Sequence, residues 1–262
     1  MKKLIGSIAN ALLKPLGYEI INSRYKNLKI AAGSEKRPVG KMELLLEDLA
    51  ARGLKCKTIL DVGANKTNWC RKAKRAFPNS NLMLIEPQVE MTERLENFCK
   101  EFPGSAYFLV GAGARKERLV LTVDELLASS SLLPNTDKQL IDSGEQREIE
   151  ITTIDELIST SQMAPPELMK LDIQGFELEA LKGAESTFGY TEAYILEVSL
   201  FHFTNTPGTP VFSDVIQFML DKNYVAYDFP GFLRRPHDGA LGQCDICFVK
   251  KDGFLRDSMD WD

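Results

Sequence analysis

What the 262-residue chain lacks narrows its class before any motif is read. No apolar run approaches the roughly 18 residues needed to span a bilayer, and the opening has no long apolar core followed by a small-residue cleavage site. Standard secretion is not expected, and the cytoplasm is the default compartment. Positive charge is not in excess: 32 Lys and Arg against 37 Asp and Glu leave a formal charge of -5. No broad basic field is there to hold nucleic acid by its phosphates, and small-molecule or glycan acceptors fit better. The five cysteines, Cys56, Cys70, Cys99, Cys244 and Cys247, are an odd and scattered set, which favours a reducing compartment. Cys244 and Cys247 have C-x-x-C spacing, but they fall in a predicted strand where positions i and i+3 face opposite ways, and no second pair completes a zinc site. Internal repeats and low-complexity tracts are absent. Gly63-Ala64-Asn65-Lys66-Thr67-Asn68 lacks the G-x-G-x-x-G spacing, and no G-x-x-x-x-G-K-[ST] occurs, so dinucleotides and ATP drop in rank.

What is present is one pattern used four times: a continuous apolar run closed by a carboxylate. Thr58-Ile59-Leu60-Asp61, Leu82-Met83-Leu84-Ile85-Glu86, Leu168-Met169-Lys170-Leu171-Asp172 and Tyr194-Ile195-Leu196-Glu197 each read as a buried strand ending in an acid. If the four are parallel, their carboxyl edges coincide where ligands bind in open α/β sheets, and the result is an acidic crevice that holds a cation. Helices are predicted at 41–52, 67–77, 88–100, 155–159, 176–186 and 211–221, and further strands at 106–110, 118–123, 147–152, 224–227 and 245–250. This alternation implies an α/β, Rossmann-like fold with right-handed crossovers. Residues 1–57 read as an amphipathic helix, a linker or lid and a flanking helix; 58–250 as the main domain, with a strand pair inserted at 114–152; and 251–262 as a tail. The helix 2–16, flanked by Lys2, Lys3 and Lys14, packs on the domain or on a second copy in a homo-oligomer, with weak contact to the inner membrane surface as the sharper alternative. A loop rich in Gly, Pro and Arg is expected over 230–243, where binding residues concentrate.

Asp61-Val62-Gly63-Ala64-Asn65 combines a strand-end acid with a glycine that lets the backbone turn and a ligand approach. Glu86 lies 23 positions beyond Gly63, where an acid accepts hydrogen bonds from both ribose hydroxyls of a nucleoside. A nucleoside without phosphates but with a positive centre matches S-adenosylmethionine. For Glu177 and Glu179 the expected role is to complement a helix dipole. Asp172 and Glu197 follow strongly apolar strands, so burial demands a partner or a raised pKa.

Taken in order, Asp61-Val62-Gly63-Ala64-Asn65, Ile85-Glu86-Pro87, Ser130-Ser131-Leu132, Thr153-Ile154-Asp155, Lys170-Leu171-Asp172-Ile173-Gln174-Gly175-Phe176-Glu177, Leu181-Lys182-Gly183-Ala184 and Leu196-Glu197-Val198 resemble the FkbM family of methyltransferases. The resemblance implies a class I methyltransferase fold, a mostly parallel seven-stranded sheet with helices on both faces and an antiparallel final strand pair. It also implies S-adenosylmethionine as donor and a hydroxyl of a sugar, glycan, glycolipid or polyketide-like natural product as acceptor. Carried over by position, Asp61, Gly63, Ala64 and Asn65 line the methionine end of the cofactor, Glu86 holds the ribose and Asp172 faces the methyl group. Thr67 stands where the family commonly has a second glycine, and Gln174 where it frequently has Glu. Asp172, His202, Glu197 and His237 are the candidates for proton removal or its support, and Asp238, Gln243 and His237 for acceptor contact. A divalent metal on Asp172 and Glu197 is an alternative to a base. A non-catalytic cofactor-binding scaffold and a nicotinamide-dependent oxidoreductase remain as competing classes.

Overall fold

The computed structural model describes residues 37–123, 127, 130–132, 137–203, 208–258 and 260; helix 2–16 and most of the 22–40 linker lie outside them. One compact unit spans Pro38–Asp262. In chain order its elements are α1 (Met42–Ala51), β1 (Thr58–Val62), α2 (Asn68–Ala76), β2 (Asn81–Ile85), α3 (Thr92–Glu101), β3 (Ala106–Phe108), β4 (Gly111–Ala112), β5 (Glu117–Thr122), α4 (Lys138–Ser143), β6 (Gln146–Thr152), α5 (Ile154–Ser161), β7 (Leu168–Leu171), α6 (Glu177–Lys182), β8 (Ala193–Ser199), α7 (Phe212–Asp221), β9 (Tyr224–Arg234) and β10 (Leu241–Lys250).

Seven strands form one sheet in the order β3-β2-β1-β7-β8-β10-β9. β10 runs antiparallel to both its neighbours and the other pairings are parallel, as the sequence pattern implied. β1 and β7 are buried along their whole length because helices cover both faces, which is why they read as unbroken apolar runs. Successive residues go to opposite cores. Ile59, Leu168, Ile195 and Cys247 pack under α1, α2 and α3, while Leu60, Met169, Leu196 and Cys244 pack under α5, α6 and α7. Cys244 and Cys247 are therefore separated by the sheet, and both are free thiols. On α1, Leu45, Leu46 and Leu49 are almost fully buried, each stabilising the helix's seat by about 1.5–3 kcal/mol.

Three expectations are corrected. The predicted 106–110 strand stops at Phe108, and Gly111–Ala112 leaves it to pair with β6 in a second sheet, β4-β6-β5. The predicted helix 176–186 ends at Lys182, since a Cβ at Gly183 would lie 2.1 Å from the Gly113 carbonyl oxygen and the chain turns there into a 3-10 segment, Glu185–Thr187. The predicted loop 230–243 is largely strand: β9 continues to Arg234 and β10 begins at Leu241. Pro230 is tolerated because β9 is the edge of the sheet and the ladder shifts register beside it. The inserted strands β5 and β6 pair antiparallel as expected, with α4 between them, capped by Asp137 accepting from the Gln139 N–H.

Candidate functional site

The turn after β1 carries three residues in the left-handed region, Gly63 (φ 85), Asn65 (φ 41) and Thr67 (φ 60). At Gly63 the glycine is required by the protein itself: an ideal Cβ would lie 2.1 Å from the Asp172 carbonyl oxygen. Thr67, at the position where the family commonly has glycine, adopts the conformation that glycine adopts freely and a β-branched residue seldom does. Its N–H donates to the Ala64 carbonyl at 2.8 Å, and α2 begins at the next residue. Asp61 is fully buried below this turn and lines no cavity described here. Its Oδ2 accepts from the Cys70 thiol at 2.9 Å, Oδ1 has no hydrogen bond, and Lys170 Nζ stands 4.0 Å away. Burial pushes its carboxyl up, with Lys170 opposing.

A first cavity of about 240 Å³ runs along the β1–β2 side of the carboxyl edge. Ile85, Pro87, Ala112, Leu121 and Leu132 give it apolar walls, so the insertion closes over the edge from β4, β5 and the segment near Ser130. Glu86 is its buried acid. Oε2 accepts from the Asn65 N–H at 2.8 Å, and Oε1 from the Gln88 N–H at 3.0 Å and Gln88 Nε2 at 3.1 Å. Burial raises the Glu86 carboxyl, and these donors oppose the rise. Gln88 also donates to the Leu127 carbonyl at 3.2 Å and accepts from Ser130 Oγ at 2.9 Å, which ties the insertion to the acid.

A second cavity of about 280 Å³ lies on the α1–α2 side, lined by Met42, Trp69 and Lys72 from the helices and by Lys170, Asp172, Glu197 and Asp245 from the sheet. The three acids come from adjacent strands. Asp245 pairs with Glu197 in register, Asp172 follows β7 beside Glu197, and alternation sets all three on the face that buries Ile195 and Cys247. Lys170 Nζ donates to Asp172 Oδ2 at 2.8 Å; Gln174 Nε2 donates to Asp172 Oδ1 at 3.1 Å and Glu197 Oε2 at 2.8 Å; Gln243 Nε2 reaches the same Glu197 oxygen at 3.3 Å. Burial works to raise the Asp172 carboxyl, yet Lys170 and Gln174 outweigh it and hold Asp172 below the ordinary value. Glu197 goes the other way, raised by burial and by repulsion from Asp172, Glu177 and Asp245. The two neighbouring acids are thus pushed in opposite directions. Gly63, Asn65 and Asp172 line both cavities.

Glu177 does more than face a helix dipole. It is buried, and its Oε1 accepts from the N–H groups of Ile173 (2.9 Å) and Gly175 (3.2 Å), pinning the turn that presents Gln174. Burial pushes its carboxyl up to about 7. His202 and His237 are exposed and line neither cavity, and Asp238 is exposed and paired with Arg235 Nε at 2.7 Å. Gln88 and Asp245 are the residues sequence reasoning missed; an acid inside the apolar run Cys244-Asp245-Ile246-Cys247 was the available signal. Among the described residues no group of three or more His, Cys, Asp and Glu is arranged to hold a metal ion, and no helix is long and apolar enough to cross a membrane.

This sheet order, with a turn after β1, a buried acid after β2 and a further acid after β7, defines a Rossmann-like α/β fold with acids along its carboxyl edge. A family profile for the methyltransferase FkbM domain matches residues 61–226, more than half of the chain. The chain belongs to the FkbM methyltransferase family. No curated protein sequence matches it. Similar solved structures include a precorrin-6y C5,15-methyltransferase from Geobacter metallireducens, 12% identical, covering 83% of this chain and 93% of that one with a TM-score of 0.41. An rRNA methylase from Streptococcus thermophilus (9%, 83% and 99%, TM-score 0.45) and the N-methyltransferase NodS from Bradyrhizobium japonicum (6%, 79% and 93%, TM-score 0.47) are others. At these identities and scores none of them bears on acceptor or mechanism.

Proposed function

We propose that the chain is an O-methyltransferase acting on a hydroxyl of a sugar, glycan, glycolipid or related natural-product acceptor, with 58–250 as the catalytic domain. The observation that carries this reading is that Asp172, the member of the acid pair held below its ordinary value, lines both cavities at once. A group in the first cavity and a group in the second meet at this carboxylate.

The first cavity fits S-adenosylmethionine. Its apolar walls suit a purine, Glu86 a ribose, and the Gly63 and Asn65 positions of the turn an amino-acid carboxylate, while Ala64 and Asn68 at the amino end of α2 line the second cavity. Glu86 already accepts three hydrogen bonds, so one ribose hydroxyl finds a free site and a second must displace the Gln88 amide. When bound, the cofactor supplies an electrophilic methyl group. Asp172 accepts the hydroxyl proton as the oxygen is methylated, while Lys170 keeps it ionised beforehand and Gln174 fixes its rotamer. Glu197, its carboxyl raised and bonded through Gln174 and Gln243, supports the base. His202, His237 and Asp238 contact acceptor only where it extends past the cavities.

An isotope-labelled methyl-transfer assay on extracted glycans and lipids tests this, with wild type and Asp172→Asn. Base-labile carboxyl-linked label, or label on nitrogen, would overturn the hydroxyl assignment. Binding of S-adenosylhomocysteine without transfer to any extract would point to a scaffold, and turnover lost in EDTA and restored by magnesium would replace the base by a metal.

A further inference from the structure

The strand-end acid that the site leaves unused is Asp61. It stands opposite Lys170 in the β1–β7 register, and Asp172 follows Lys170 by two positions, so alternation puts the three charged side chains on one face of the sheet. Lys170 Nζ donates to Asp172 Oδ2 at 2.8 Å and stands 4.0 Å from Asp61 Oδ1. The lysine therefore has two carboxylates, and they differ in access. The Asp172 side chain is 33% exposed and lines both cavities, whereas Asp61 is fully buried and lines neither.

The groups that face Asp61 are the Cys70 thiol of α2, which donates to Oδ2 at 2.9 Å, Lys170 of β7, Asp172 beyond β7 and Glu86 beyond β2. Of these only Lys170 is positive, and Asp61 Oδ1, the oxygen near it, has no hydrogen bond among the described residues. A buried carboxylate so placed is costly unless it is paired with a cation. Lys170 is such a cation: it is 6% exposed, and Asp172 and Asp61 together hold its ammonium above the ordinary value against burial. Glu197, Glu177 and Asp245 also face Asp172 or Lys170, from β8, α6 and β10, but none of them comes within ion-pair distance of Lys170.

We propose that Asp61 is a positioning residue for methyl transfer: it is the standing counter-charge of Lys170, keeping the ammonium charged and in place while Asp172 holds the proton taken from the acceptor. This rests on the O-methyltransferase reading above. In the transfer the hydroxyl oxygen bonds the methyl carbon, the carbon–sulfur electron pair stays on sulfur, and the hydroxyl proton goes to Asp172. Asp172 is then neutral. Without Asp61 the buried ammonium would be left with no carboxylate in ion-pair reach, which makes Asp172 a poorer proton acceptor. With Asp61 the cluster passes from two carboxylates and one ammonium to one of each. Asp61 acts only through Lys170 and touches neither cofactor nor acceptor.

The test follows the titration of Lys170 Nζ by nitrogen-15 NMR in the full chain saturated with S-adenosylhomocysteine. Asp172→Asn stands for Asp172 after proton uptake. Adding Asp61→Asn to it should lower the Lys170 midpoint by about one pH unit or more, a tenfold or greater loss of proton affinity. An unmoved midpoint, as a role in shape alone would give, overturns the inference. Should the double variant fail to fold, Asp61→Asn alone must move the midpoint in the same direction, and no movement there overturns it equally. Turnover near neutral pH, on the extracted glycan and lipid fraction that takes label, is the second readout: Asp61→Asn should lower kcat by about tenfold while affinity for S-adenosylhomocysteine stays within about twofold of wild type. Unchanged turnover overturns the inference, and so does affinity lost in step with turnover, which would make Asp61 a cofactor contact. S-adenosylhomocysteine binding by the wild type, measured first, separates the two readings: its absence sinks the cofactor assignment, whereas binding with an unmoved Lys170 midpoint sinks only the role of Asp61.

Discussion

The two halves of the sheet's carboxyl edge hold their acids in different ways. On the β1–β2 side, Glu86 is gripped by two backbone N–H groups and one amide, donors whose positions are fixed by the turn and by Gln88. On the β7–β8–β10 side, Asp172, Glu197 and Asp245 depend on side chains: one lysine, two glutamines, and for the last nothing. Backbone donors cannot be changed by substitution, so the first half is a fixed cradle around Glu86. Side-chain donors can be exchanged one at a time, so the proton affinities of the second half are open to change by substitution. The Asp172 and Glu197 carboxyls, shifted in opposite directions although neighbours, show how far such an arrangement separates two like groups.

The contrast can be broken or sharpened by four substitutions. The largest effect is expected from Asp172→Asn, which should lower turnover by about 10²–10⁴-fold with affinity for S-adenosylhomocysteine almost unchanged; parallel losses in both would place Asp172 in the cradle instead. Glu177→Gln comes next. The Glu177 carboxyl sits at about 7 in the folded chain against an ordinary 4.5, so between those values the unfolded chain loses a proton that the folded one keeps, and stability falls as pH rises. Removing the ionisable group should recover up to about 3 kcal/mol near pH 8 and nothing near pH 4, read as denaturation midpoints; equal shifts at both pH values would refute it. Glu86→Ala should weaken S-adenosylhomocysteine by about 2 kcal/mol, or roughly thirtyfold, while the acidity profile of turnover stays where it was. Smallest is Thr67→Gly, which relieves a left-handed β-branched residue at the cost of glycine's chain entropy and should raise stability by about 0.5–1 kcal/mol. A drop in melting temperature would mean that the buried Thr67 side chain outweighs its backbone strain.

How much of this was legible in the sequence follows the same division. Four apolar runs ending in acids announced the sheet, and the order of motifs from Asp61 to Glu197 announced the family, because both are local patterns. Which acids face one another was not legible. The Asp172, Glu197 and Asp245 row exists only through cross-strand register, and β10 joins it antiparallel from far along the chain. In the Cys244-Asp245-Ile246-Cys247 segment the cysteine spacing drew the eye from the acid between them. The long β9–β10 hairpin was masked by Pro230 and Gly231, which an edge strand accepts and a central one would not. Asp61 was legible as an acid near the end of β1, but its full burial beneath the turn, with Gly63 and Asn65 lining the first cavity instead, was not. The Gln174 departure was visible, though its meaning needed the structure, since only there does one amide span two carboxylates.

Gly63 joins the two halves. Its Cα lies so close beneath the Asp172 carbonyl that no side chain fits between the turn after β1 and the turn after β7, and the Asp172 N–H donates to the Val62 carbonyl at 3.0 Å. The two turns therefore form a single mechanical part. A change that tilts the first displaces the second by the same contact, so the positions of Asn65 and Asp172 are inherited together. On β8, β10 and the edge strand, by contrast, a side chain can be exchanged without disturbing that joint.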